Sequence, residues 1–497
     1  MTRGFPAIFV LLFVAATASA QEARPVEDAA RTLGATSLQT IQYTGYGSDF
    51  IFGQAYNGSS AWPRFNLPLY AINIDFAAPA LRDDRRRAQA ENPPLGGGFQ
   101  PVLGEQRQTW LLKGDTAWDV INGVTAPAGL ERDLRTAVAG RLAQIWMTPH
   151  GFLKAALAGT PQTRIEDVRG AKKTVVTVTT PTKVTLEGVI NDQHLVERVE
   201  TWISHPMLGD IVYEAEFSDY KDFNGVRFPT RIVHRSAGYP VLDVTITQVT
   251  PNAPFTLDVP EAIRTATPAP AAPLVAEQLS PGVWVVPGYS KSVAVEFRDH
   301  IVVVDAPEGE ERSIAVMEAI KKVIPSKPIR YVINTHSHFD HASGLRTYAA
   351  EGAIIVTHQE NVPYYQQVWA QPRTIAPDRL SRSGKQATFE GVVGSRTFSD
   401  GTRRMVVYHY PGNMHNSNML MIHLPKEKIL MQADSYTTPA TPADAPGAVL
   451  NLVHMYQAVE RLRLDVKQVV PMHGRITTFD EMRAQVEAHG RSQLGTR

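Results

Sequence analysis

The stretch Tyr331-Val332-Ile333-Asn334-Thr335-His336-Ser337-His338-Phe339-Asp340-His341 decides how this chain is read. Its opening residues are apolar without alternation, the pattern of a strand covered on both faces. His336 and His338 then leave the strand end on the same side, because successive side chains of an extended segment alternate. Asp340 and His341 follow in the turn and can face a second ion close by. In α/β proteins the loops at the carboxyl ends of strands are where ligands bind. A lone His-x-His is common on surfaces, but His-x-His-x-Asp-His directly after a buried strand is specific. Further candidates stand downstream at or near the ends of apolar runs. They are His415 in Pro411-Gly412-Asn413-Met414-His415, Asp434 in Met431-Gln432-Ala433-Asp434, and His473 in Val470-Pro471-Met472-His473-Gly474.

Outward from that motif the grammar is α/β. Eleven of the 15 histidines lie from Ala276 onward. Residues 283–286 and 292–297 read as strands, and Ile301-Val302-Val303-Val304 as a fully buried one ending at Asp305. Residues 313–323 carry apolar side chains at helical spacing, and another helix is expected from about Ser343. Strands alternating with helices, apolar on both faces, indicate a layered α/β core. The 497 residues include no cysteine, so any metal is held by nitrogen and oxygen. Disulfides, thiol nucleophiles and iron–sulfur clusters are excluded by the same count.

On these residues the segment of about 275–495 resembles the metallo-β-lactamase superfamily, which implies an αββα sandwich. Carried over position by position, the resemblance makes His336, His338 and His415 ligands of one metal and Asp340, His341 and His473 ligands of another. Asp434 matches the carboxylate that bridges the two, and Asp305 a supporting acid behind them. The implied cofactors are two divalent ions, zinc first on an imidazole and carboxylate donor set, with manganese or iron as alternatives. The implied chemistry is hydrolysis by a metal-bridging hydroxide, with Asp340 orienting it and accepting its proton. Expected substrates are small esters, lactones, thioesters or amides. A sulfatase or phosphodiesterase on the same site is the alternative enzyme. A periplasmic ligand-binding protein with a vestigial metal domain is the alternative from another class.

Departures from the family narrow this. Cysteine-ligated β-lactamases are excluded by composition, and those without the thiolate generally lack a bridging carboxylate where this chain has Asp434. Flavin-linked diiron reductases usually carry glutamate where His338 stands. Nucleases share the motif, but 49 basic and 49 acidic residues give no net charge to favour nucleic acid. Glyoxalase II thioesterases share the ligands, but no dedicated basic stretch for glutathione accompanies them here, and a domain like residues 26–264 is foreign to them. The partner expected is a small-molecule substrate, with no nucleic acid and no stable membrane insertion; the oligomeric state is left open. The segment 435–448, SYTTPATPADAPGA, is expected to wall the pocket, with Tyr436 and Tyr410 as packing residues. His358, His409, His423, His454 and His489 are read as structural, His358 being the one placed at a strand end.

Before the motif region, Thr265 to Pro273 reads TATPAPAAP, a semi-rigid spacer. Residues 26–264 alternate apolar and polar side chains at 173–180, 183–189 and 209–217, and Asn224-Gly225 is a tight-hairpin signal. Helices are expected at 129–145 and near 27–33. This is an antiparallel, β-rich domain. Its Ser218-Asp219-Tyr220-Lys221 and Asn224-Gly225-Val226-Arg227-Phe228-Pro229 segments resemble the closing hairpins of outer-membrane lipoprotein carrier-type half-barrels. The Gly96-Gly97-Gly98 run reads as an ordinary loop. At the start, Arg3, the apolar run from Phe5 to Ala16 and Ala18-Ser19-Ala20 describe a signal peptide over 1–20, cleaved after Ala20. The expected location is periplasmic or secreted. The expected organisation is therefore 1–20, 26–264, the 265–273 linker and 274–497.

Overall fold

The computed structural model describes residues 24–98, 100–102, 104–128, 134–266, 274–439 and 449–490. The expected signal peptide, most of the expected Pro/Ala linker and residues 440–448 of the expected pocket wall lie outside these.

Residues 40–251 build one 13-stranded antiparallel sheet. Six strands, from Thr40–Phe50 to Val124–Pro127, run outward in chain order. Seven more, from Gln162–Val168 to Tyr239–Pro251, run back, so that the last pairs with the first, Tyr43 opposite Val249. Strand Arg64–Asp75 shows why the sheet has one buried face: Phe65, Leu67, Tyr70, Ile72 and Ile74 point into the core. The register shift in its pairing falls across Leu67 and Pro68, where a residue without an N–H cannot hold the ladder. At Asn224 and Gly225, φ values of 55° and 84° close the expected two-residue hairpin, with Phe223 opposite Val226.

Helices Pro25–Leu33, Leu134–Trp146 and Pro149–Ala158 contribute to the core on that face, including Leu33, Ile145, Phe152 and Leu153. The third was not expected. Its signals are Thr148, whose hydroxyl accepts from Gly151 N at 3.0 Å, and Pro149 at the first helical position. Gly188 gives Phe152 its place, since a Cβ there would stand 2.2 Å from the ring's Cζ.

His150 in this helix is fully buried, its Nε2 3.1 Å from the Leu33 carbonyl and its Nδ1 without a partner. Burial pushes its pKa down to about 4 from 6.5, and His205 and His234 are likewise pushed to about 4 by burial. Such a group is neutral in both states above pH 6.5, so its stabilisation is intact there. As pH falls towards 4 the unfolded chain takes up the proton and the folded chain does not. For His150 that linkage costs roughly 3 kcal/mol of stability by pH 4. Urea unfolding of wild type and His150→Asn at pH 7 and pH 4.5 checks this: the variant should lose less stability on acidification.

The remainder is the αββα sandwich. A seven-stranded sheet runs from Glu277–Ser280 to Thr388–Val392, and a six-stranded sheet from Ser395–Ser399 to Thr477–Thr478. In strand Ile301–Val304, Val302 and Val304 pack between the sheets, while Ile301 and Val303 pack on the helix side with Val316 and Ile320 of helix Glu310–Val323. That two-sided burial explains the unbroken apolar run. Helix Val449–Arg461 covers the outer face of the second sheet through Leu452, Met455 and Val459.

The two regions share packing. Met207 and Leu208, in the turn between strands Val196–His205 and Gly209–Phe223 of the large sheet, and Ile211 in the second of these join the helix-side core of the sandwich. Arg373 donates to the carbonyls of His205 and Met207 at 3.0 and 2.8 Å, and the Trp62 ring lies 5.8 Å from that of Phe339. Among the described residues no helix is long and apolar enough to cross a membrane.

Candidate metal centre

The parallel pairs of the sandwich place the expected ligands. Strand Ile301–Val304 lies beside Ile329–Ile333, which sets Asp305 next to Thr335 and His336. Strand Ile429–Gln432 lies beside Gln468–Pro471, Gln432 opposite Pro471, so Asp434 and His473 leave the same sheet end together. His415 comes from the turn between strands Arg404–His409 and Leu420–Leu424.

All seven residues converge. Ligand-type atoms of His336, His338, His415 and Asp434 lie within 4.8 Å of one another, as do those of Asp340, His341, Asp434 and His473. Asp434 belongs to both groups: its Oδ2 is 3.4, 3.2 and 2.9 Å from the Nε2 atoms of His336, His341 and His415, and its Oδ1 3.3 Å from His473 Nε2. Asp434 and Asp305 hold φ of 57° and 58°, a conformation uncommon for residues other than glycine.

The outward nitrogens are tied down. His341 Nδ1 meets Asp305 Oδ2 at 2.9 Å, His338 Nε2 meets the Ala55 carbonyl at 2.8 Å, and His473 Nδ1 meets the Tyr289 carbonyl at 2.9 Å. Asp305, wholly buried, also accepts from Thr335 N and Oγ1, both at 2.8 Å. Each such ring, when neutral with its outer nitrogen donating, offers its other nitrogen as a lone-pair donor facing inward. His336 Nε2, His338 Nδ1, His415 Nε2 and Asp434 Oδ1 are buried without a hydrogen-bond partner. Buried polar atoms are normally paired, so this set fits a cation.

The electrostatics agree. Burial, joined by the charge of His341, pushes the His336 ring down to about 4, and burial with His336 and His415 holds His338 well below its ordinary value. Both rings are neutral donors at neutral pH. Burial alone would raise the carboxyls of Asp340 and Asp434, but His341, aided by His473 at both, holds them well below the usual range. Conversely, burial opposes protonation of His341, but Asp434 and Asp340 outweigh it and raise that ring well above its usual value. Two buried carboxylates draw positive charge inward.

The other histidines stand apart. His358 packs against His409 with tilted rings, centroids 4.1 Å apart, outside either group, and His423 Nε2 contacts the Asp465 carbonyl at 3.0 Å. Tyr410 and Tyr436 are buried packing residues, Tyr410 hydrogen-bonding Ser435 at 2.8 Å.

Residues of the large sheet's loops also reach the cluster. Gln54 Nε2 donates to Asp340 Oδ1 at 2.8 Å, and the Gly53 and Tyr56 carbonyls accept from Phe339 N and Ser417 N at 3.2 and 2.9 Å. The Gly96-Gly97-Gly98 run is no ordinary loop: Gly96 N donates to the Met414 carbonyl at 2.8 Å, and a Cβ on Gly97 would stand 3.1 Å from the His338 ring. The only local signal was small and polar composition between strands.

Residues 285–473 match the family model of the metallo-beta-lactamase superfamily. The chain is 30% identical over 131 residues to a metallo-beta-lactamase type 2 of Elizabethkingia meningoseptica, covering 26% of this chain and 46% of that protein. It is 25% identical over 165 residues to the 2,4-dinitroanisole O-demethylase subunit alpha of Nocardioides sp. (strain JS1661), covering 32% and 45% respectively. The chain thus spans just under half the length of these curated relatives. Among solved structures, a metallo-beta-lactamase from Pontibacter korlensis aligns with 45% of this chain and all of its own, at 19% identity and a TM-score of 0.34.

Proposed function

We propose, with residues 285–473 as a metallo-beta-lactamase superfamily domain, that this chain is a metal-dependent hydrolase of a small ester, lactone, thioester or amide, exported from the cytoplasm. The observation that carries the reading is the inward set of unpartnered donors, His336 Nε2, His338 Nδ1, His415 Nε2 and Asp434 Oδ1. His336, His338, His415 and Asp434 would hold one divalent ion, and Asp340, His341, His473 and Asp434 a second, zinc being the best match to imidazole and carboxylate donors. Ions bound there supply Lewis-acid polarisation and an acidified water at neutral pH.

The chain's own residues do the rest. Asp340, a quarter exposed and the least buried of the seven side chains, presents Oδ2 to the cluster, where it would accept a proton. Asp305 fixes the His341 ring against rotation and supports its basicity. Burial of His336 and His338 keeps competing water from their nitrogens. Seven of seven ligand positions are filled, which favours a working site over a vestigial one.

The test is metal content by mass spectrometry, then turnover of nitrophenyl ester, sulfate and phosphate panels before and after chelation. Ester turnover lost on chelation and restored by zinc is expected. Bound metal with no turnover on any panel, or activity indifferent to chelation, would refute the reading.

A further inference from the structure

The geometry points to Gln54 as a positioning residue for Asp340, so that the metal centre is completed by the N-terminal sheet. This rests on the metal-hydrolase reading above. Asp340 Oδ2 faces the cluster, 3.2 Å from His473 Nε2 and 3.5 Å from His341 Nε2, while Oδ1 accepts from Gln54 Nε2 at 2.8 Å. The terminal torsion of an aspartate is soft. A donor on the outer oxygen therefore decides which way the inner one points. A neutral amide does this without removing the carboxylate's charge, as a lysine or arginine in the same place would partly do.

Gln54 is itself held. Its carbonyl accepts from Gly97 N at 2.9 Å, and its side-chain oxygen occupies the space where a Cβ on Gly97 would stand, 1.8 Å away. Glycine at 97 is thus what leaves the amide its room. The next residue serves the other group of ligands: the Ala55 carbonyl takes His338 Nε2 at 2.8 Å and Asn416 Nδ2 at 3.2 Å, turning His338 Nδ1 inward. Two consecutive residues of one loop so orient a ligand in each half of the cluster, from 283 to 286 positions away in sequence.

Cobalt(II) titration of the full metal-free chain, read by visible absorption, tests this. Gln54→Leu should weaken cobalt binding at the Asp340, His341, Asp434 and His473 group by about 10–100-fold, the usual effect of removing an outer hydrogen-bond partner. Binding at the His336, His338 and His415 group should be unchanged. In an Asp340→Ala background Gln54→Leu should add nothing, because its effect runs through that carboxylate. Gly97→Ala crowds the amide and also brings a methyl within 3.1 Å of the His338 ring, so it should weaken binding at both groups; Gln54→Ala, which removes the same donor without added bulk, carries the expectation alone should Gln54→Leu not fold. Unchanged cobalt affinity in Gln54→Leu or Gln54→Ala, or an equal loss with and without Asp340, would overturn the assignment while leaving the hydrolase reading intact. A wild-type chain that takes up no cobalt would overturn both.

Discussion

Asp434→Asn is expected to strip metal from both halves of the cluster at once and to lower turnover by at least about 10³-fold, several kcal/mol of transition-state stabilisation. The reason is its position. One carboxylate oxygen lies within 3.4 Å of His336, His341 and His415, and the other 3.3 Å from His473. An amide of the same size carries no charge and would turn an N–H towards ring nitrogens that present lone pairs. Asparagine is also the substitution the backbone accepts best, because φ at this position is 57° and asparagine is among the few residues that tolerate the left-handed region. Loss of metal should therefore come without loss of fold. His415→Ala gives the contrast: it belongs to one group only, and should lower metal content by no more than that share. Metal-to-protein ratios by mass spectrometry, turnover on the ester panel, and circular dichroism decide it. Full metal content and unchanged turnover in Asp434→Asn would sink the dinuclear arrangement.

The cluster was legible because its signals are local. Residues 336–341 sit in one strand-to-helix turn, and the apolar runs that place Asp305, Asp434 and His473 are themselves short and unbroken. What no local pattern carries is pairing at long range. Strand Thr40–Phe50 joins Tyr239–Pro251 across some 200 residues, and that single ladder makes two meanders into one sheet. Strand Ala80–Gln89, ALRDDRRRAQ, reads as a solvated charge run, yet Asp83 and Arg87 are buried. Its charges are matched within the sheet: Arg85 pairs with Asp83 and Arg87 with Asp49, each at 2.8 Å, and Arg85 lies 4.3 Å from the Trp110 ring centre. Burial of ions is tolerable only with such partners, and the partners are visible only in three dimensions. Gln54 and Gly97 were missed for the same reason, since their meaning lies in Asp340 and His338.

Residues 274–497 expressed alone are expected to be insoluble or to unfold without a cooperative transition, although every metal ligand lies within them. In the whole chain Met207, Leu208 and Ile211, from the large sheet and its turn, are buried in the helix-side core of the sandwich. Burying three such side chains contributes about 5–9 kcal/mol at roughly 1.5–3 kcal/mol each. That is comparable to the roughly 5–15 kcal/mol by which a folded domain is stable. The fragment would also lose the His205 and Met207 carbonyls that accept from the Arg373 guanidinium, leaving it Asp378, and would expose Phe339, which packs against Phe52 and Trp62. At the cluster it would lose the Ala55 carbonyl that sets the His338 ring and the Gln54 amide on Asp340. A fragment rescued by a solubility partner should therefore bind metal at least about tenfold more weakly than the full chain, as losing outer hydrogen-bond partners does elsewhere. Solubility, thermal unfolding and cobalt titration of fragment and full chain side by side measure each part. A soluble fragment melting cooperatively with the full chain's cobalt affinity would show that the large sheet neither stabilises the sandwich nor completes its site.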